Sequence, residues 1–267
     1  MKGNEKAVAI LLSKGADVNA RDDRGKTPLQ TSIQWQNKCV MRLLLDEGAD
    51  IEAEDEEDEG KSAIYYAIRW ATRTGELAAV RSLLDKGAGI EAKDRLGRRA
   101  LHYAVKPEDW GYYEVKLGDT HNQQRIMAKL ASVQLLIKRG ADIEAEDSYG
   151  QRPLHHAAML IANHRVVQLL LEQGANIEAE DEEGQSALHC AAKLDWHGRY
   201  PKTVHLLLKK GANIHAENNK GEMALDNAIF KLSGEVVSLL LANGAIPKRF
   251  YDERNSEYAE RENFKEA

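Results

Sequence analysis

Cysteine is nearly absent from this chain: Cys39 and Cys190 are the only two in 267 residues. A small fold held by a disulfide framework is therefore excluded. Aromatic residues are few, at 6% with three Phe, so the interior has to be built from Leu, Ala, Val and Ile. No apolar run approaches the ~20 residues of a membrane span. The N-terminus also lacks the apolar segment of a secretory signal. Positive charge is not in excess either. With a net charge of −6 and no basic stripe, duplex nucleic acid is not an expected partner. These absences point to the cytosol, with the nucleus as the other compartment, and to two free thiols in a reducing setting.

What is abundant is self-similarity. Gly140-Ala141-Asp142-Ile143-Glu144-Ala145 returns thirty-four residues later as Gly174-Ala175-Asn176-Ile177-Glu178-Ala179. Likewise Arg152-Pro153-Leu154-His155-His156-Ala157 returns as Ser186-Ala187-Leu188-His189-Cys190-Ala191. Gly-Ala junctions recur at Gly15, Gly48, Gly87, Gly140, Gly174, Gly211 and Gly244, at intervals of 33, 39, 53, 34, 37 and 33 residues. Such a period marks supersecondary units that bury their apolar faces only against their neighbours.

One unit can be read residue by residue. Val166, Val167, Leu169, Leu170 and Leu171 recur at helical spacing, and Gly174 follows where a left-handed residue closes a helix. Asp147 and Gly150 occupy the first and fourth positions of a type I turn. Pro153 stands where a helix begins, because its missing N–H would be unpaired there, and Leu154, Ala157 and Ala158 give that helix a thin apolar face. The unit is hairpin, helix, turn, helix.

This pattern resembles the ankyrin repeat, whose family motif runs Asp-x-x-Gly-x-Thr-Pro-Leu-His-x-Ala-Ala, then a Val-rich helix, then Leu-Leu-x-x-Gly-Ala-Asp. The resemblance implies an all-α repeat solenoid of about six and a half repeats. Residues 1–20 form a partial first repeat with no first helix, which should leave apolar surface uncovered. The following repeats span 21–53, 54–92, 93–145, 146–179, 180–216 and 217–247, and 248–267 is a charged tail. Cys39 and Cys190 then lie four repeats apart, which excludes a disulfide between them, since stacked helices are ~10 Å apart.

Three repeats depart from the period. Glu52 to Glu59 places seven acids in eight positions, and Trp70 to Thr74 is expected to lengthen the connection between the helices of the third repeat. An insertion at 106–125 follows Ala104; Pro107 and Gly111 should end the first helix, with Gln123 to Ile137 a second helix extended at its N-terminus. A shorter insertion surrounds Asp195 to Pro201. Thr27 can cap the helix that Pro28 begins, whereas Arg99, Arg152 and Met223 stand in capping positions and each forgoes ~1 kcal/mol of helix initiation.

No catalytic chemistry recommends itself. Gly25-Lys26-Thr27 and Gly60-Lys61-Ser62 look like the end of a phosphate loop, but the position five residues before each Gly-Lys holds Ala20 or Asp55 rather than glycine. His102, His155 and His189 recur at one motif position, which places them ~10 Å apart, too far for ligands that each sit ~2 Å from one zinc. His155 and His156, consecutive on a helix, diverge. The reading adopted is an imidazole that ties repeat to repeat through backbone hydrogen bonds. No cofactor, metal or catalytic residue is expected.

The resemblance implies protein recognition on a concave face of hairpin tips and first helices. The candidate contact residues are Trp35, Trp70, Asp58, Glu59, Arg95, Arg98, Trp110, Tyr112, Tyr113, Tyr149, Glu182, Glu183, Trp196 and Tyr200. Trp35 and Trp70 share a repeat position and are expected side by side, ~10 Å apart, as anchors. Glu52, Glu91, Glu144 and Glu178 replace an Asn common in the family and make the finger edge acidic, so the expected partner is a protein with a basic segment bound by a monomer. The alternative is the recognition array of a longer enzyme or ubiquitin-ligase adaptor. Since only binding to the folded state raises a melting temperature, neither a chelator nor ATP should move that of this chain by several degrees in a thermal-shift assay.

Overall fold

A computed structural model describes residues 2–56, 59–106, 120–160, 163–194 and 201–247. Among them are thirteen helices and no strand beyond one isolated bridge between Glu217 and Met223. The first, α1 (Lys2–Ser13), stands alone; the others form pairs. These are α2 (Pro28–Gln34) with α3 (Lys38–Asp46), α4 (Ala63–Thr74) with α5 (Ala78–Asp85), and α6 (Ala100–Val105) with α7 (Thr120–Lys138). Then come α8 (Pro153–Ala158) with α9 (His164–Glu172), α10 (Ala187–Ala192) with α11 (Lys202–Lys209), and α12 (Ala224–Phe230) with α13 (Gly234–Ala242). The first helices stack as α2, α4, α6, α8, α10 and α12, and the second helices stack behind them, α1 on α3 and α7 on α9 on α11.

The apolar period decides this stacking. Leu29, Ile64, Leu101, Leu154, Leu188 and Leu225 form one buried column, and Leu44, Leu83, Leu136, Leu170, Leu207 and Leu240 form another. Each such side chain contributes ~1.5–3 kcal/mol by leaving water. Leu11 holds the equivalent place in α1, where no first helix faces it, and it is 59% exposed beside Ile10 at 60%. The seven junction glycines all adopt positive φ, between 79° and 95°, closing the second helices as the motif requires.

Between the pairs the chain turns tightly. In the turn that begins at Asp147, Gly150 N–H donates to the Asp147 carbonyl, while the Asp147 carboxylate accepts from Tyr149 and Gln151 N–H. Asp22, Asp94, Asp181 and Asn218 do the same in their own turns. Successive tips are then joined backbone to backbone: Arg95 N–H to the Glu59 carbonyl, Ser148 to Leu96, Glu182 to Tyr149, Asn219 to Glu183. Gly184 shows why glycine is needed there. Its φ is 73°, and a Cβ would lie 2.8 Å from the Asn219 backbone nitrogen.

One side chain per unit joins that unit to the next. It sits at the third position of the first helix, reaches back to the N–H of the capping residue and forward to a carbonyl of the following hairpin. Gln30 accepts from Thr27 N–H and donates to the Ala53 and Lys61 carbonyls, at 2.7 and 2.9 Å. His102 accepts at Nδ1 from Arg99 N–H, with Nε2 3.1 Å from the Gln151 carbonyl. His155 accepts from Arg152 N–H and reaches the Ala179 and Gln185 carbonyls; His189 accepts from Ser186 N–H and reaches that of Glu222. A carbonyl only accepts, so Nε2 carries the proton in each ring. Tyr65 supplies the forward bonds with its hydroxyl, to the Ala92 and Arg98 carbonyls, and Asp226 supplies only the backward one, to Met223 N–H.

Arg99, Arg152 and Met223 give their helices no side-chain cap, as expected, although the third-position side chain takes each capping residue's own N–H. One expectation changes. Trp70 to Thr74 does not lengthen a loop. It extends α4 to twelve residues, closed by Gly75 at φ 80°, because α7 also runs long, starting at Thr120, and the two extensions pack on each other.

Because each unit is held by its neighbours, amide exchange should open α1 before α8 to α11; equal protection along the array would contradict this. Tyr65 is buried, and Tyr65→Phe would strip a hydroxyl from two carbonyls at the joint between the third and fourth repeats. The variant should lose ~1–2 kcal/mol in urea unfolding.

Candidate functional site

The candidate contact residues fall on hairpin tips, first helices and the turns between paired helices. Of the fourteen candidate residues, Asp58, Trp110, Tyr112, Tyr113, Trp196 and Tyr200 lie outside the described residues. The rest divide into those already engaged within the molecule and those left toward water.

Glu59 and Arg98 are engaged. Arg98 pairs with Glu59 and, at 2.8 Å, with Asp94, and it lies over the Tyr103 ring at 4.8 Å from the centroid. Burial works against its charge, but the Tyr103 and Asp94 neighbours outweigh it and hold the guanidinium above its ordinary value. Lys61, buried, approaches Glu59 at 3.7 Å and the same Tyr103 ring at 5.6 Å. This cluster binds the third hairpin to the fourth and is structural. Arg95 is exposed, with its guanidinium donating to the Glu56 carbonyl.

The two tryptophans part company. Trp35 follows the last residue of α2 and is 76% exposed. Trp70 lies inside the longer α4, half-buried in a notch made by Ser32, Ile33, Gln36, Asn37, Lys38 and Met41 of the preceding unit together with Glu76 and Ala79. The expectation of two equivalent exposed anchors is therefore corrected: equal repeat positions differ here because α2 ends at residue 34 and α4 continues to residue 74. Tyr149, Glu182 and Glu183 stand exposed at neighbouring tips, Glu183 accepting from Gln185 at 2.6 Å.

The acidic finger edge has a second task. Glu52 accepts from Gly89 N–H, Glu91 from Asp142 N–H, Glu144 from Asn176 N–H and Glu178 from Asn213 N–H, all at 2.8–2.9 Å. Asn19 does the same for Asp50 N–H. These carboxylates form a second ladder between units, and Glu91 and Glu144 also pair with Arg99 and Arg152. Their sequence position could have revealed this, because Asn19 and the glutamates share one acceptor chemistry.

The histidines come together in one place that the spacing argument missed. His156 Nε2 lies 2.8 Å from the Asp147 carboxylate, and its ring meets His102 edge-on at 5.3 Å between centroids. Atoms of His102, Asp147 and His156 able to ligate a metal lie within 4.8 Å of one another, all three residues buried. Non-equivalent positions of adjacent units meet where equivalent ones do not. The group does not fit an ion. Both His102 nitrogens are taken by backbone, and His156 with Asp147 repeats a contact that Tyr103 makes to Asp94 at 2.5 Å and Tyr66 to Asp55. The neighbouring units fill the same place with phenols, so the pair is a tie between helix and turn.

Lys129 was not legible in the sequence. It is fully buried in α7, donating at 3.0 Å to Asn163, whose own amide donates to the Val105 and Ala157 carbonyls. Burial drives its ammonium well below the ordinary lysine value. Burial likewise pushes the Cys190 thiol up to about 12, making it an inert core residue, while Cys39 is exposed.

No described helix is long and apolar enough to cross a membrane. Among curated proteins no relative matches the chain. Among solved structures it is similar to the ankyrin repeat domain of Bcl-3, described as a unique member of the IkappaB protein family. That likeness has 30% sequence identity and a TM-score of 0.64, and covers 89% of this chain and 91% of that one. The family model described as ankyrin repeats in three copies matches residues 1–94 and 125–218. With the junction glycines, turns and ladders recurring from unit to unit, the chain belongs to the ankyrin repeat family.

Proposed function

We propose that this chain is a protein-interaction scaffold that acts by binding and not by catalysis, and that its partner, a protein, seats on the concave face of hairpin tips and first helices. The observation that carries this reading is Trp35. Trp35 is a large aromatic residue, 76% exposed at the end of a first helix, a position that Phe230 at the end of α12 matches with 82% exposure. Desolvating such a side chain in a partner's pocket is the kind of contact that dominates interface energetics.

Tyr149, Glu182 and Glu183 extend the surface toward the tips. Exposed carboxylates beside an aromatic tip favour a partner segment that carries basic groups around an apolar anchor, and steer its approach. The edge glutamates keep their charge while accepting backbone N–H groups and add to the field of the tips. The setting that suits this reading is the cytoplasm or nucleus, with the scaffold acting as a monomer.

The test separates the two tryptophans. After affinity capture and identification of a partner, Trp35→Ala should weaken binding by on the order of thirtyfold, about 2 kcal/mol, and leave the melting temperature unchanged. Trp70→Ala should instead lower the melting temperature through the notch it empties, with binding reduced only as far as folding is. Intact binding by the Trp35 variant would remove the anchor from the proposal.

A further inference from the structure

The third-position column is mixed in its chemistry. Gln30 and Tyr65 join the second, third and fourth repeats with groups that do not change charge between pH 4 and 7. His102, His155 and His189 join the fourth, fifth, sixth and seventh. Asp226, the last member, reaches only its own unit.

We propose that the middle of this array is an acid-sensitive clasp: when His102, His155 and His189 take up a proton, the bonds joining these successive units are weakened, while the joints built on Gln30 and Tyr65 hold. The geometry compels this. Each ring already donates from Nε2, so a second proton has to go to Nδ1, which accepts from a backbone N–H at 3.0–3.2 Å. Protonation sets two donors face to face and leaves the capping residue's N–H without its acceptor. At His189 the Ser186 hydroxyl, 2.9 Å from Nδ1, can accept from the added N–H, so that joint weakens less than those of His102 and His155.

The surroundings do not remove the conflict. His102 faces His156, Asp147 and Arg99; His155 faces Asp181 and Arg152; His189 faces Lys193 and Asp181. Burial outweighs the carboxylates, lowering His102 to about 4 and holding His155 and His189 below the ordinary imidazole value. His156 is lowered too, by burial against the opposing pull of Asp147. The sign follows. An unfolded histidine binds its proton near pH 6.5 and the folded one resists, so stability is whole above ~6.5 and falls as pH drops toward the folded value. Each such histidine contributes up to about a tenfold loss in the folding constant per pH unit within that window.

The experiment compares the full chain with the triple variant H102Q/H155Q/H189Q, since Gln30 shows that glutamine makes both bonds in this position. Urea midpoints are measured at pH 7.5, 6.5, 5.5 and 5.0. The parent should lose stability steadily below 6.5, and the variant should lose much less. Equal slopes would overturn the proposal. Two readouts on the unaltered chain stand if the variant fails to fold. Nitrogen NMR should show protons at Nε2 and midpoints below 6.5 for these histidines; titration at or above 6.5 would overturn it. Amide exchange at pH 5, corrected for its intrinsic rate, should rise in α6, α8 and α10 relative to α2 and α4. A uniform rise would deny the clasp.

Discussion

The structure depends on one hydrogen-bonding arrangement, the third side chain of the first helix, which in four of the six described pairs is bonded both backward to its own capping residue and forward to the next hairpin. A helix of six or seven residues has too few internal bonds to hold itself, and its first N–H groups have no partner within it. The backward bond occupies the capping residue's own N–H. The forward bond then makes the correct seating of the next hairpin a condition for satisfying buried carbonyls. Stability is passed along the array in this way, unit to unit, with the leucine columns supplying the apolar term.

Around this arrangement three further devices repeat with variation. The turn aspartate accepts two N–H groups with one oxygen and offers the other to a side chain of the first helix, which is Tyr66, Tyr103 or His156. The edge residue before each hairpin accepts an N–H of the next unit, as Asn19 or as a glutamate. The tips bond backbone to backbone. The first two constrain the chemistry of a side chain but not its identity, so tyrosine and histidine, or asparagine and glutamate, exchange from one repeat to the next. The exchange is what gives the units different responses to acid although they share one geometry.

The proposed contact surface is what these devices leave over. Most polar side chains on the concave side are bonded, which is why Trp35 and the Tyr149 to Glu183 tips stand out as surface with no structural task in the ladders. The extended α4 and α7 alter the rim between the helices and draw Trp70 and Lys129 inward.

By itself the sequence determined the fold class, the period, the closing glycines, the turn aspartates and the role of the recurring histidines, because each is a local or nearest-neighbour consequence of residue type at a fixed spacing. The extended second helix of the fourth repeat was legible for the same reason, from Gln123 onward. Only tertiary structure decided the rest. Whether Trp35 and Trp70 are equivalent depends on where α2 and α4 end, and α4 is prolonged by packing on a helix some fifty residues further along the chain. That the edge glutamates also serve as ladder acceptors depends on an N–H more than thirty residues away. The meeting of His102 with His156 joins positions that no single period aligns, and the buried Lys129 rests on an asparagine of the next repeat. Spacing along the chain fixes what a unit is; contacts across units fix which of its side chains remain to act.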